Sequence, residues 1–299
     1  MSSVDFFISG YPKSGTTALY HYLKDHPDVF LPDLKEPHFF SVDFPGARSV
    51  TSIIDYEKLY ADATSNQLKG DASASVIHSS EAINHILEYA PQAKFIVLVR
   101  EPVAAVRSFH CELLYNLNED ETDFETAWNL QSSREKGKKN PTNCKESALL
   151  QYATTFRYRE QLPLFFQKLP EEQRLIFVFE EFFSDPRNAY LKVLDFLELK
   201  DDGRTDFPAV NMSKKLRFRS LASYHRQLVD SNIFFYRITK NMLSRLGIHP
   251  SHMLARLNLK KGYKQELSPQ FYSELRKHFE PDIETVEQLL GHSIQAWRL

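Results

Sequence analysis

The residues with the clearest chemistry lie near the N-terminus, where an apolar run ends in a loop framed by two glycines. Residues 5–9 read DFFIS and residues 10–17 read GYPKSGTT. Glycine lets the backbone turn with its N–H groups facing inwards, and a helix beginning at Thr16 adds about half a positive charge at its first turn. The pattern therefore predicts a strand, a loop and a helix that together bind an anionic group.

The loop differs from the common nucleotide loop, G-x-x-x-x-G-K-[ST], in which lysine follows the second glycine and reaches the β- and γ-phosphates. Here Thr16 takes the position of that lysine, and Lys13 lies inside the loop. The best later strands end in Arg100 and Glu180, so the sequence indicates no aspartate at a strand end to hold magnesium. These features argue against ordinary triphosphate hydrolysis.

Arg100 is a second candidate for anion binding, because it follows the apolar run 94–99. A guanidinium at the end of a buried strand is costly unless an anion meets it, and phosphate suits its paired N–H groups. Ser108, two helical turns further along, adds a hydroxyl on roughly the same side. A structural salt bridge to Arg100 is the alternative that the sequence leaves open.

The elements that position these residues follow an alternating order. Strand-like runs at 5–9, 68–71, 94–99 and 174–179 alternate with helical patterns near 15–25, 79–90, 102–115 and 146–168. This order predicts an α/β fold, with a central, mostly parallel sheet and helices on both faces. Ligands of such folds bind at the C-terminal ends of the strands, where both candidate segments lie.

The 299 residues are long enough for one large core, and we predict a single domain with a helical excursion at about 215–257. The polar stretch 131–145 is predicted to be a surface loop. Two cysteines, Cys111 and Cys144, indicate neither a disulfide framework nor a metal site. With no secretory signal or membrane span evident, we expect a soluble, bacterial-type enzyme of the cytoplasm.

The net charge of −2 conceals an uneven distribution. Twelve lysines and arginines against one acid lie between Lys214 and Lys264. Such a basic segment could bind an anionic glycan, a phosphopantetheine-bearing carrier, nucleic acid or the nucleotide itself. The simpler interpretation is a helix face exposed to solvent. No nucleic-acid-binding motif accompanies the segment.

Several blocks of the sequence resemble the sulfotransferases that use 3′-phosphoadenylyl sulfate (PAPS). The loop at 11–17 resembles their 5′-phosphosulfate loop, and 35–40 (KEPHFF) is similar to a segment of the glycan-type and bacterial branch. Residues 99–108 resemble the family's 3′-phosphate motif, and residues 261–263 resemble its loop that covers the nucleotide. Residues 289–297 are similar to the C-terminal end of many bacterial members. The resemblance extends from about residue 4 to the C-terminus and implies a P-loop-like nucleotide-binding fold.

This resemblance implies PAPS as co-substrate, adenosine 3′,5′-bisphosphate (PAP) as product, and no metal. The implied nucleotide-binding residues are Pro12, Lys13, Ser14, Gly15, Thr16 and Thr17 at the 5′-phosphosulfate, Arg100 and Ser108 at the 3′-phosphate, and Lys261, Gly262 and Tyr263 in the covering loop. Sulfuryl transfer needs a cation where charge grows on the leaving oxygen, and Lys13 is predicted to supply it.

The catalytic base is implied to be Glu36, with His38 as the second candidate because imidazole titrates near neutral pH. Pro37 is expected to hold Glu36 extended, so that alternation points both side chains to one side. Many glycan-specific relatives carry G-E-K-[ST]-P where residues 70–74 read GDASA. Their second lysine is absent here, and Asp71 and Ser73 are expected to line the site.

The sequence therefore predicts transfer of a sulfuryl group from PAPS to a hydroxyl of a small-molecule, carrier-bound or sugar acceptor. The alternatives are a P-loop kinase that uses ATP and a non-catalytic binding module that keeps the nucleotide fold. Neither the acceptor nor the oligomeric state is encoded in a recognisable motif.

Overall fold

A computed structural model describes residues 4–208, 214–216, 259–261 and 266–298 of the chain. Its centre is a sheet of five parallel strands in the order β2-β3-β1-β4-β5. The strands are β1 (Phe6–Gly10), β2 (Val29–Phe30), β3 (Leu68–Asp71), β4 (Lys94–Val99) and β5 (Arg174–Val178). The four runs predicted from the sequence are confirmed, whereas the two-residue β2 was missed because so short a strand has no alternation to detect.

Helices cover both faces of this sheet, as predicted. The α-helices of the described ranges are α1 (Thr16–Lys24), α2 (Ile53–Lys58), α3 (Ala82–Tyr89), α4 (Pro102–Tyr115), α5 (Phe124–Asn129), α6 (Gln131–Glu135), α7 (Tyr152–Thr155), α8 (Tyr158–Gln167), α9 (Phe179–Ser184), α10 (Pro186–Phe196) and α11 (Pro269–Leu290). Short 3₁₀ helices span Ala74–Ile77, Ser147–Leu150, Glu171–Gln173 and Gln295–Trp297.

Alternation along the strands divides the core into two layers. Phe6 and Ile8 of β1 pack with α1 and α10 on one face of the sheet. Phe7, between them, packs on the other face with α3, α4, α8 and α11. Because both faces of the strands are buried, the sheet is rigid and its C-terminal edge is a fixed platform for ligands.

The helix predicted over 146–168 is broken into a 3₁₀ turn, α7 and α8. The break has a packing reason, because Phe156 and Tyr158 both contact Tyr11, with ring centroids 6.1 and 4.0 Å away. On one uninterrupted helix, residues two positions apart point to nearly opposite sides. The loop predicted over 131–145 is also partly wrong, since Gln131–Glu135 forms α6.

A separate antiparallel ribbon pairs β6 (Lys214–Leu216) with β7 (Leu259–Lys261), and β6 lies against α4. Residues 215–216 are therefore strand rather than the start of the predicted helical excursion. The rest of that excursion, 217–257, lies outside the described residues. In the described ranges, no helix combines the length and apolar character needed to cross a bilayer.

Candidate functional site

The glycine-framed loop leaves the C-terminal end of β1 and turns directly into α1. Gly10 touches β4 so closely that a Cβ there would lie 2.5 Å from the Leu98 carbonyl oxygen. Gly15 has φ +96°, and a Cβ on it would meet the Phe183 ring at 2.7 Å. Both positions therefore require glycine, and α1 begins at the next residue, Thr16, with its N-terminus towards the loop.

Lys13 lies inside this loop in a left-handed conformation, with φ 68°. Its Nζ is 2.6 Å from Oε2 of Glu112 on α4, and both side chains are partly exposed to the cavity. Glu112 was not predicted as a site residue, because the sequence shows only an acidic stretch that starts there. The lysine that was predicted to bind an anionic ligand therefore forms an ion pair with the Glu112 carboxylate in this structure.

Arg100 follows β4 and reaches the same loop. Its Nη1 donates a hydrogen bond to the Lys13 carbonyl oxygen at 3.1 Å, and its Cζ lies 4.2 Å from the centroid of the Phe179 ring. Burial lowers the pKa of Arg100, and Glu180 opposes that shift. The nearest contact with Glu180 is 3.7 Å from Nε to Oε1, beyond hydrogen-bond length, so the guanidinium keeps donors for another anion.

Glu36 and His38 meet beside this loop, but not in the predicted extended conformation. Both have positive φ, 62° and 52°. Nε2 of His38 is 3.4 Å from Oε2 of Glu36, Nδ1 of His38 is 2.6 Å from the Ser75 hydroxyl, and Lys35 pairs with the other Glu36 oxygen. The expectation that proline would extend Glu36 was wrong, because the backbone here is left-handed, and the side chains are held by contacts of Glu36 with Lys35 and of His38 with Ser75.

The ionisation of Glu36 is governed by two opposing effects. Burial raises the pKa of this carboxyl, but the charge of Lys35 and the hydrogen bond with His38 outweigh it and lower the pKa to about 2. Glu36 is therefore charged throughout the neutral range.

Two distant loops close the far wall of the site. Residues 44–47 meet 145–149, and the N–H of Gly46 donates to Oε2 of Glu146 at 3.1 Å. A Cβ on Gly46 would overlap the Lys145 carbonyl oxygen at 1.9 Å, so this contact also requires glycine.

These segments enclose one cavity of about 950 Å³. The strand-end half of the cavity is lined by Pro12, Lys13, Gly15, Thr16, Thr17, Arg100, Ser108 and Glu112. The loop half is lined by Glu36, His38, Phe44, Gly46, Ala47, Ser75, His78, Lys145, Glu146 and Leu149. Of the predicted residues, Pro12, Lys13, Gly15, Thr16, Thr17, Glu36, His38, Arg100 and Ser108 line the cavity. Ser14 is buried behind the loop, and its hydroxyl has no hydrogen-bond partner within the described residues.

The covering loop predicted at 261–263 is described only in part. Lys261 ends β7, whose partner β6 lies against α4, the helix that carries Ser108. Gly262 and Tyr263 lie outside the described residues.

Asp71 corrects two expectations. It ends β3, beside the strand of the glycine-framed loop, so a strand does end in aspartate. Its carboxylate is fully buried, accepts hydrogen bonds from the Tyr56 hydroxyl at 2.7 Å and the Ser73 N–H at 2.8 Å, and does not line the cavity. Ser73 does not line it either, because its hydroxyl accepts from the His38 N–H at 3.0 Å.

Over the described ranges, no group of three or more His, Cys, Asp or Glu side chains has the geometry of a metal site. Neither Cys111 nor Cys144 forms a disulfide within the described residues.

Comparisons with known proteins show the family of this chain and its fold. The family model described as "Sulfotransferase domain" matches residues 3–285. The human heparan sulfate glucosamine 3-O-sulfotransferase 3B1 is 28% identical over 193 residues, which cover 64% of this chain and 45% of that protein. The human 3-O-sulfotransferase 6 is 32% identical over 107 residues, 36% of this chain and 30% of that protein. The chain thus spans less than half the length of these curated relatives.

Among solved structures, a sulfotransferase from Alicyclobacillus acidocaldarius superposes with a TM-score of 0.73 at 21% identity, over 100% of both chains. This likeness shows the shared fold, an α/β sheet covered by helices.

Proposed function

The chain belongs to the sulfotransferase domain family, as the sequence predicted, and from that premise we propose that it transfers a sulfuryl group from PAPS to an acceptor hydroxyl, releasing PAP. The observation that carries the proposal is the placement of two cations, Lys13 and Arg100, at one end of a single cavity. Arg100 donates to the Lys13 carbonyl oxygen, so the guanidinium lies against the loop that carries the second cation.

The strand-end half supplies the contacts that a nucleotide with two phosphate groups needs. The first turn of α1 and the glycine-framed loop that leads into it face the 5′-phosphosulfate. The Lys13 ammonium stabilises the charge that grows on the bridging oxygen as the S–O bond breaks, and gives up Glu112 to do so. The Arg100 guanidinium and the Ser108 hydroxyl bind the 3′-phosphate.

The loop half supplies the proton acceptor, and the contacts favour Glu36 over His38. Both ring nitrogens of His38 are occupied, by Glu36 and by Ser75. A carboxylate has about four lone-pair sites, so Glu36 keeps capacity for an acceptor hydroxyl after contacting Lys35 and His38. A weak base suffices if the hydroxyl proton becomes acidic as its oxygen bonds to sulfur. His38 and Lys35 orient the carboxylate.

The acceptor is proposed at the level of its reacting group, a hydroxyl on a small molecule, a carrier-bound chain or a sugar. The relatives named for heparan sulfate act on a glycan, but this chain lacks the second lysine of the glycan-specific G-E-K-[ST]-P block at 70–74. The cytoplasmic, bacterial-type character stays a prediction.

Thermal unfolding with nucleotides tests the proposal directly. PAP without metal should stabilise the protein more than ATP with magnesium does, and [³⁵S]PAPS should yield a labelled product with a panel of hydroxyl compounds. Arg100→Ala should lose the PAP effect, whereas Lys24→Ala, which removes a surface lysine of α1, should keep it. Preference for ATP with magnesium would favour a kinase, and PAP binding with no product from any acceptor would favour a binding module.

A further inference from the structure

The C-terminal segment approaches the strand-end half of the cavity through the carboxylate of Glu180. This residue lies in the first turn of α9, and its Oε2 accepts a hydrogen bond from the indole N–H of Trp297 at 2.7 Å. Its Oε1 accepts from the Glu101 N–H at 3.5 Å and lies 3.7 Å from Nε of Arg100. Neither Glu180 nor Trp297 lines the cavity, so both side chains lie behind Arg100 as seen from a ligand there.

The ion pair between Glu180 and Arg100 is incomplete. Both side chains are mostly buried, with 23% and 19% of their surfaces exposed, and opposite charges attract strongly in such surroundings. Yet Nε of Arg100 is shielded from solvent and has no hydrogen-bond partner in the part of the chain that the structure describes. A movement of about 0.8 Å would bring the carboxylate to the usual N–H···O distance of about 2.9 Å. Another contact therefore holds Glu180 back.

Trp297 is the contact that is fixed well enough to do this. Its indole is 1% exposed and belongs to the same core cluster as the buried side chains of α11. The segment around it is fastened to that helix, because the Ile294 N–H donates to Oε1 of Glu287 at 2.8 Å and Arg298 pairs with Glu280 at 2.9 Å. A donor held in this way fixes the direction of the carboxylate that it binds.

The position of Glu180 matters because its charge acts on Arg100. Burial lowers the pKa of Arg100, and the charge of Glu180 is the strongest effect that opposes this shift. A carboxylate that closed onto Nε would compensate more of the guanidinium charge, and an incoming phosphate depends on that charge and on the N–H donors. Nη1 of Arg100 already donates to the Lys13 carbonyl oxygen. Glu180 is thus a potential competitor of an anion at Arg100.

We propose that Trp297 is a positioning residue of the nucleotide site: it holds the Glu180 carboxylate back from Arg100 and so keeps the guanidinium available to the 3′-phosphate. The inference rests on the proposed function, because it takes Arg100 as the 3′-phosphate site. It gives the indole N–H a role in nucleotide affinity that is separate from the packing of the ring against α11.

Calorimetric titration of Trp297→Phe with two nucleotides tests this role. The substitution keeps an aromatic ring in the core and removes the N–H that binds Glu180. The released carboxylate should close onto Arg100 and raise the Kd for PAP about tenfold, the size expected for a hydrogen bond between charged groups. The Kd for adenosine 5′-monophosphate, which lacks the 3′-phosphate, should hardly change.

Glu180→Gln separates this role from a merely structural one. Its amide oxygen still accepts from the indole, but the side chain carries no charge that competes for Arg100. Alone, it should lower the Kd for PAP about two- to fivefold, and combined with Trp297→Phe it should restore the Kd to the parent value or below. A loss of affinity caused by a loosened fold would not be rescued by a second substitution.

Val286→Ala is the matched control for stability, because Val286 is a buried side chain of α11 in the same core cluster and has no polar group. It should lower the unfolding temperature and leave the ratio of the two Kd values unchanged. If Trp297→Phe does not fold, Glu180→Gln alone decides, since a Kd for PAP that is unchanged or raised contradicts the competition by Glu180.

The failure of this inference and the failure of the proposed function are distinguishable. A parent protein that PAP does not stabilise contradicts the proposed function. In a parent protein that binds PAP, three results contradict the role of Trp297 alone: a Trp297→Phe variant with unchanged Kd for PAP, equal weakening of both nucleotides, or no rescue by Glu180→Gln.

Discussion

The strand-end half of the cavity is held by the backbone of the sheet, whereas the loop half is held by side chains. In the strand-end half, the N–H of Tyr11 donates to the Leu98 carbonyl at 3.1 Å, which continues the β1–β4 ladder into the loop. In the loop half, one small network carries the geometry: the Ser75 hydroxyl contacts both the His38 ring at 2.6 Å and the Ser41 hydroxyl at 2.7 Å. The proposed nucleotide site is therefore part of the fold, and the proposed acceptor site is attached to it.

This difference has an energetic side. Glu36 and His38 adopt left-handed conformations that cost about 1 to 3 kcal/mol each for residues other than glycine. The pairing with Lys35 and the hydrogen bonds to Ser73 and Ser75 must offset that strain. Substitutions in the loop half should consequently change acceptor chemistry with little effect on nucleotide binding, and the reverse should hold for the strand-end half.

The largest effect should follow Glu36→Gln, which removes the proposed base without changing the shape of the side chain. General-base catalysis contributes about 10²–10⁴ in rate, so kcat should fall by that factor while the Kd for PAP stays the same. Steady-state transfer from [³⁵S]PAPS and calorimetric titration with PAP measure the two quantities. A variant that retains more than a tenth of the parent kcat would exclude Glu36 as the base.

The pH profile separates Glu36 from an imidazole base. Because the pKa of Glu36 is lowered to about 2, its carboxylate should remain charged from about pH 5 to pH 8, and kcat should show no acidic limb there. An imidazole base would lose activity as the pH falls through the neutral range. A decline in kcat between pH 7 and pH 6 would therefore transfer the role to His38.

In the strand-end half, Lys13→Ala should lower kcat by about 10²–10³, since it removes a fixed donor to the leaving oxygen. Lys24→Ala is the matched control, because Lys24 lies at the other end of α1 in a pair with Asp33 and should leave kcat unchanged. If Lys13→Ala raised only the KM for PAPS, the lysine would contribute to ground-state binding alone.

The sequence was sufficient to predict which residues meet in the strand-end half, because the patterns that indicate them are local. One loop contains the two glycines and the lysine between them, and the arginine directly follows one strand. Parallel strands bring the segments at their C-terminal ends together. The same reasoning placed β1, β4 and β5, whose apolar runs are bounded by turn residues, and the short β3, which reads LKGD. It was not sufficient for Glu112, whose pairing with Lys13 depends on how α4 packs over the loop.

The loop half could not be predicted because its contacts join residues far apart in the chain. Gly46 meets Glu146 across 100 residues, and His38 meets Ser75 across 37. No periodicity marks such pairs. The steric rule for a residue before proline favoured an extended Glu36, but tertiary contacts overrode it. Asp71 was misjudged for the same reason, because its partner Tyr56 belongs to α2.

A smaller effect should follow Arg100→Ala, measured as nucleotide affinity. Hydrogen bonds to a charged group contribute about 1.5–3 kcal/mol, so the Kd for PAP should rise roughly 10- to 150-fold. Adenosine 5′-monophosphate lacks the 3′-phosphate, and its Kd should hardly change. If both nucleotides weakened equally, Arg100 would support the loop through its bond to the Lys13 carbonyl and would not bind the 3′-phosphate.

The smallest effect should follow Glu112→Gln, and its sign is opposite to the others. Glu112 pairs with the Lys13 ammonium, so the 5′-phosphate of an incoming nucleotide must displace it. A half-exposed ion pair contributes about 0–1 kcal/mol, and its removal should therefore lower the Kd for PAP by up to about fivefold.

This gain in affinity should vanish when Lys13→Ala is combined with Glu112→Gln, because the acid then has no lysine to compete for. It should also shrink in 1 M salt, where screening weakens the competing pair. A Kd that rises in Glu112→Gln would mean that the carboxylate supports the position of Lys13 for the nucleotide and does not compete with it.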